Sequence, residues 1–224
     1  MHILDTFIPL WQCAIYYLIL IVALYFSLNW ARKNLDEKMV PLMSVLAAGI
    51  FAIMSMNMPV PFGTSGHMVG GVLVAIVFCA PEAVIIVFTL VLLVQGFFFA
   101  DGGITALGVN VLNMGIIGGF AGLYIFKALR RVVGKYVAIG VASWMSIFIA
   151  AEVVAIELWL AGTFPLVQGL AVMGIYHVFI GIIEAVLTVV VIMTLEKLRP
   201  DLLVWNRKKN MRITQTETNE VISQ

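Results

Sequence analysis

Residues 65–100 read SGHMVGGVLVAIVFCAPEAVIIVFTLVLLVQGFFFA, a stretch broken only at Ala80-Pro81-Glu82. Whether it crosses a membrane once or twice decides the topology of the whole chain. A helical crossing takes about 20 apolar residues. The half after the proline is long enough. The half before it is short unless it reaches back to Val60. Charge settles the question. Counting two crossings here, apolar runs fall at 9–31, 40–58, 65–80, 82–100, 104–129, 135–161 and 168–195. Lysine and arginine then occur only after the first run (Arg32, Lys33, Lys38), after the fifth (Lys127, Arg130, Arg131, Lys135) and after the seventh (Lys197, Arg199, Arg207, Lys208, Lys209, Arg212). All thirteen basic residues lie on one side, and the connections 59–66, 100–103 and 162–167 carry none. Merging the two halves would put the cluster at 127–135 on the wrong side, so the positive-inside rule requires seven crossings.

The composition agrees. Of 224 residues, 62% are hydrophobic and 11% charged, too apolar for a soluble fold with a polar exterior. The expected fold is an all-α integral membrane protein of about seven transmembrane helices in the cell (plasma) membrane. Its N-terminus lies outside and is inserted toward the bundle, and its C-terminus is cytoplasmic. Residues 1–196 form the membrane domain and 197–224 a polar cytoplasmic tail, with a short amphipathic start and a frayed end. The first run has no basic residue before it and several after it, the reverse of a signal peptide, so it is read as a retained helix. Cys13 and Cys79 both fall in apolar segments and are expected to be buried free thiols. A net charge of +1 gives no reason to expect a nucleic-acid partner.

The chain starts Met1-His2, and only His67 and His177 follow as histidines. An N-terminal amine, a deprotonated His2 amide nitrogen and the His2 ring can close adjoining chelate rings around one divalent cation. A fourth nitrogen would complete a square, and His67 is the candidate. It lies in MPVPFGTSGHMVGG, where an external loop re-enters the membrane. Four nitrogens in a plane suit Ni(II), Cu(II) or low-spin Co(II) better than Zn(II), Mg(II) or Ca(II). Binding displaces protons from amine and amide, so affinity is expected to rise with pH through the amine's ordinary range, roughly 7.7–8.0.

Other groups are expected around this site. Thr64 and Ser65 are placed to hold the His67 tautomer that presents a lone pair. In ADGGITALGVNVLNMG, residues 100–115, Asn110 and Asn113 share a helical face. They either shape the cavity mouth or bond neighbouring helices. Gly115/Gly119 and Gly118/Gly122 form a small-residue packing face. His177 and Glu184 lie seven residues apart on nearly one face of the last helix, and Glu152 and Glu157 are also intramembrane. Such ionisable groups raise a functional question by their presence, but their residue types alone assign no role. Met54, Met56, Met58 and Met68 near the site are read as packing.

The MHI opening with Pro9 and Trp11, GTSGHMVGG, ADGGITALGVNVLNMG and HVFIGIIEAVLT resemble the substrate-specific membrane component of cobalt and nickel energy-coupling-factor transporters, the CbiM/NikM family. The resemblance runs from residue 1 to about 190. It implies high-affinity capture of Co2+, possibly Ni2+, as transported substrate, with no organic cofactor and no enzyme activity of its own. It implies a site of Met1 (amine), His2 (amide and ring) and His67 (ring). The implied partners are a coupling transmembrane (T) subunit, cytoplasmic ATPase subunits and a small accessory membrane protein. For cobalt, the implied destination is cobalamin biosynthesis. The chain has no phosphate-binding G-x-x-x-x-G-K-[ST] loop, in keeping with ATP hydrolysis in separate subunits. Asp101 stands where many cobalt-type members carry a histidine before the Gly-Gly pair and is common in nickel-type ones, so the metal stays open.

Two other classes compete. Gly63-Thr64-Ser65-Gly66 fits the G-x-S-G pattern of rhomboid intramembrane serine proteases, with Ser65 as nucleophile and His177 as base. A purely structural scaffold of a transporter is the other.

Overall fold

The computed structural model describes residues 1–61 and 64–205. Among them the chain forms seven α-helices: α1 Leu10–Asn34, α2 Met39–Met54, α3 Gly71–Phe78, α4 Pro81–Phe99, α5 Leu107–Leu129, α6 Lys135–Leu160 and α7 Leu166–Leu198. A hairpin of β1 (Met58–Val60) and β2 (Thr64–Gly66) joins α2 to α3, pairing Met58 with Gly66 and Val60 with Thr64. A 3-10 turn, Pro200–Leu202, follows α7. Gly63 and residues 206–224, with most of the expected tail, lie outside the described residues.

Helices α1, α4, α5, α6 and α7 are long and apolar enough to cross a membrane. Their outward faces stay apolar: Leu18 and Phe26 on α1 and Phe179 and Val186 on α7 are all more than 60% exposed. In water that exposure would be costly; against lipid it is the required surface. The chain is therefore a multi-pass membrane protein.

The run 65–80 crosses in two parts. Strand β2 and non-helical backbone lead down to Gly70, whose φ of +74° needs a residue without Cβ strain, and only then does α3 begin. Its eight residues, about 12 Å of helix, are all buried. Irregular backbone at this depth survives because it is enclosed by protein and its amides find partners. The first half of the run is thus short because it makes only the inner part of a crossing. Cys79, at φ +54°, ends α3, and Pro81 occupies the first turn of α4, where its missing N–H costs nothing.

The glycine face on α5 packs as expected. A Cβ at Gly119 would lie 3.0 Å from Val84 of α4, and one at Gly122 would lie 2.3 Å from Val72 of α3. Ser146 of α6 donates to the Gly118 carbonyl at 2.8 Å. Between Leu112 and Ile117, α5 widens to π geometry. Within it Asn113 donates to Glu157 of α6 at 2.6 Å. Among the described residues neither cysteine is in a disulfide; Cys13 is buried and Cys79 only partly so.

Candidate metal centre

Residues 1–3 do not extend into solvent. Met1, His2 and Ile3 are each no more than 2% exposed, packed under the outer surface. Three anchors hold them. Asn110 of α5 accepts from the Ile3 N–H and donates to the Ile3 carbonyl, both at 2.9 Å. The Gly103 N–H donates to the same carbonyl at 3.0 Å. The Asp5 carboxylate accepts from the Thr105 N–H at 2.7 Å, the Thr105 hydroxyl at 2.6 Å and the Ile104 N–H at 3.2 Å. The backbone of the ADGGITALG segment thus docks the terminal segment.

The Met1 amine donates to the Ser65 carbonyl and reaches the Ser65 hydroxyl at 3.4 Å. The His2 and His67 rings lie with centroids 4.6 Å apart and planes tilted by 39°. His67 Nδ1 is 2.9 Å from the Met68 carbonyl. A carbonyl only accepts, so Nδ1 carries the proton and Nε2 presents a lone pair. The Met68 backbone, and not Thr64 or Ser65, sets this tautomer; among the described residues the buried Thr64 hydroxyl has no partner. Among the described residues no hydrogen bond reaches His2 Nδ1, His2 Nε2 or His67 Nε2. Buried imidazole nitrogens left unpaired cost free energy and call for an explanation.

Burial decides the charge states. It pushes the Met1 amine from 8.0 down to about 4, against the pull of Asp101. It pushes His2 to about 3, helped by the amine. The Met1 amine and the His2 ring are therefore neutral at pH 7. His2 Nε2 lies 3.9 Å from an Asp101 oxygen, but a neutral ring makes this a long polar contact and not an ion pair. Asp101, half-buried and bonded by Asn57 at 3.4 Å, has its carboxyl raised by burial against the opposing pull of the amine and Asn57. Gly102, at φ +88°, passes so close that a Cβ there would lie 2.8 Å from His2 Nδ1.

Of the groups expected here, Met1, His2, Ser65, His67, Asp101 and Asn110 come together, while Thr64 pairs with Val60 in the hairpin. Asn113 does not: it donates to Glu157 of α6 at 2.6 Å, bonding helix to helix. Two residues left without a role in the sequence belong with the site. Glu184 of α7, 2% exposed, accepts from the Val69 and Gly70 N–H groups at 2.6 and 3.0 Å, pinning the backbone that carries His67. His177, fully buried, lies beside Gly66. Their shared helical face was the available signal.

Among the described residues no three His, Cys, Asp or Glu side chains gather closely enough to hold a metal by themselves. Fold and site together define a multi-pass membrane protein with a cluster of neutral nitrogen donors buried beneath its outer face.

Residues 2–202 match the family described as CbiM, the cobalt uptake substrate-specific transmembrane region, and the chain belongs to that family. A chain of Methanocaldococcus jannaschii named for metal transport is 39% identical over 90% of this chain and 94% of its own length. An Archaeoglobus fulgidus protein named as a fused nickel transport protein NikMN is 37% identical, covering 91% of this chain and 68% of itself. A second protein of that organism, named for cobalt transport as CbiM, is 32% identical over 91% and 98%. The crystal structure of a truncated transition metal transporter superposes with a TM-score of 0.83 at 32% identity, covering 88% of this chain and 99% of that one. The chain is a membrane component of cobalt or nickel transport.

Proposed function

We propose that this chain is the high-affinity capture component for Co(II), with Ni(II) as the alternative, in an energy-coupling-factor transporter. Its ligands are the Met1 amine, the His2 amide and ring, and His67 Nε2. One observation carries this reading: a neutral amine and two imidazoles with unpaired nitrogens are buried together. A divalent ion supplies what these lone pairs lack, and a nitrogen plane suits Co(II) and Ni(II). Because the docked amine is already neutral, the proton that the docked chain releases on binding comes from the His2 amide.

A coupling transmembrane subunit, cytoplasmic ATPase subunits and a small accessory membrane protein complete the machine, and ATP hydrolysis lies with those partners. If the cargo is cobalt, its destination is cobalamin biosynthesis. The test is the metal content and absorption spectrum of the purified chain with Met1 first and its amine free. Stoichiometric Co(II) or Ni(II) with a planar nitrogen spectrum is expected; a chain that leaves both ions free in equilibrium dialysis is a scaffold instead. The protease reading finds no support, because His177 Nε2 has no partner while the Ser65 hydroxyl reaches the amine.

A further inference from the structure

His177 has no part in the claw, yet its chemistry matches that of His67. Its Nδ1 is 2.8 Å from the Met173 carbonyl, so Nδ1 carries the proton and Nε2 is a lone pair. The residue is fully buried, and among the described residues nothing bonds that nitrogen. The ring faces the His67 loop. A Cβ on Gly66 would lie 3.8 Å from His177 Cε1, the carbon bonded to Nε2. His177 is eleven residues from the outer start of α7, roughly 16 Å along the helix, near mid-depth in a hydrocarbon core of about 30 Å. It cannot share one coordination sphere with His2 and His67 in this arrangement, since no three such side chains converge. A second position, reached after the first, remains.

We propose that His67 and His177 form an inner coordination station for the transported divalent ion, in which His67 Nε2 keeps its hold while His177 Nε2 replaces the nitrogens of Met1 and His2. This rests on the claw reading. The step is a ligand exchange: the metal stays divalent, the His2 amide nitrogen recovers one proton from water, and water fills the remaining positions. Glu184, seven residues farther along the same helix, fixes the His67 loop through Val69 and Gly70, so both ligands of the station are tied to α7.

The test is Co(II) binding by the full-length chain carrying one extra alanine before Met1, which removes the claw and leaves His67 and His177. Weaker binding, by at least about tenfold, should remain, with ligand-field bands of high-spin Co(II) replacing the planar spectrum. His67→Ala, or His177→Asn, which retains an N–H for the Met173 carbonyl, should abolish it. A His2→Ala background gives an independent version, and circular dichroism confirms that each variant is folded. Complete loss of binding in the extended chain, or residual binding that survives His177→Asn, would overturn the inner station. Failure of the claw reads differently: the extended chain would bind Co(II) as the native chain does, with an unchanged spectrum.

Discussion

Asn110 grips Ile3 by both ends of its amide, accepting from the Ile3 N–H and donating to the Ile3 carbonyl at 2.9 Å each. One side chain on α5 thereby satisfies two main-chain groups of a segment that must lie inside the bundle. Breaking this pair strips the buried Ile3 N–H of its acceptor, at about 1–3 kcal/mol, and leaves the Ile3 carbonyl with the Gly103 N–H alone. Asn110→Leu should weaken Ni(II) or Co(II) binding by at least about tenfold, read by titration calorimetry. An unchanged affinity would mean that the terminal segment docks without this grip.

Replacing a proposed ligand should be more severe. His2→Ala and His67→Ala are each expected to abolish high-affinity binding, and an extra residue before Met1 should be as damaging. His177→Asn in the native chain should have a modest effect at equilibrium, because the claw is complete without it. Equal losses in all of these variants would show that the site is assigned wrongly.

Gly102 tests the fit around His2. A Cβ there meets His2 Nδ1 at 2.8 Å and is strained at φ +88°. Gly102→Ala should therefore reduce metal affinity at least about tenfold. Gly134, at φ +84° with nothing within 4 Å of a Cβ, is the control. Gly134→Ala carries the backbone cost alone and should leave affinity unchanged; equal effects on binding would remove His2 from the explanation.

The pH dependence of docking follows from the buried bases. In the folded chain the Met1 amine is held at about 4 against 8.0, and His2 at about 3 against 6.5. Both folded values lie below the unfolded ones, so in that window the undocked segment binds more protons than the docked one. Docking therefore strengthens as pH rises, is complete above the unfolded values, and weakens by about 1.4 kcal/mol per pH unit for each group titrating as pH falls. In the metal-free protein, hydrogen exchange at residues 2–8, corrected for the intrinsic pH effect, should show protection growing between about pH 5 and pH 8. A flat profile would mean that the amine docks charged.

Glu184→Ala should strip two buried N–H groups of their acceptor and loosen the His67 loop. Stability should fall by about 2 kcal/mol, with metal affinity falling too. Glu184→Gln, which retains one accepting oxygen, should recover part of both. If both variants bind like the native chain, the loop is held by other contacts.

Much of this was legible in the residues. The thirteen basic residues, confined to three positions along the chain, required seven crossings where hydropathy alone was ambiguous at 65–100. Positive charge beside a membrane and apolar length are sums over neighbours in sequence, so they survive without knowledge of packing. The Gly119 and Gly122 face and the approach of His67 to Met1 and His2 were legible too, because spacing and residue type pointed to them. That Asn113 bonds Glu157 while Asn110 holds Ile3 was not, since the two asparagines share a face and differ only in what packs opposite.

Sequence by itself determined the membrane class, the number of crossings and the residue types available as ligands. Tertiary structure alone decided that the run 65–80 enters as open backbone before it coils, that Glu184 supplies that backbone's acceptor, and that His177 faces inward with a free nitrogen. The physical reason is that hydropathy and charge belong to residues, whereas an unpaired lone pair belongs to an arrangement: it exists only where helices distant in sequence close around a nitrogen and bring it no donor.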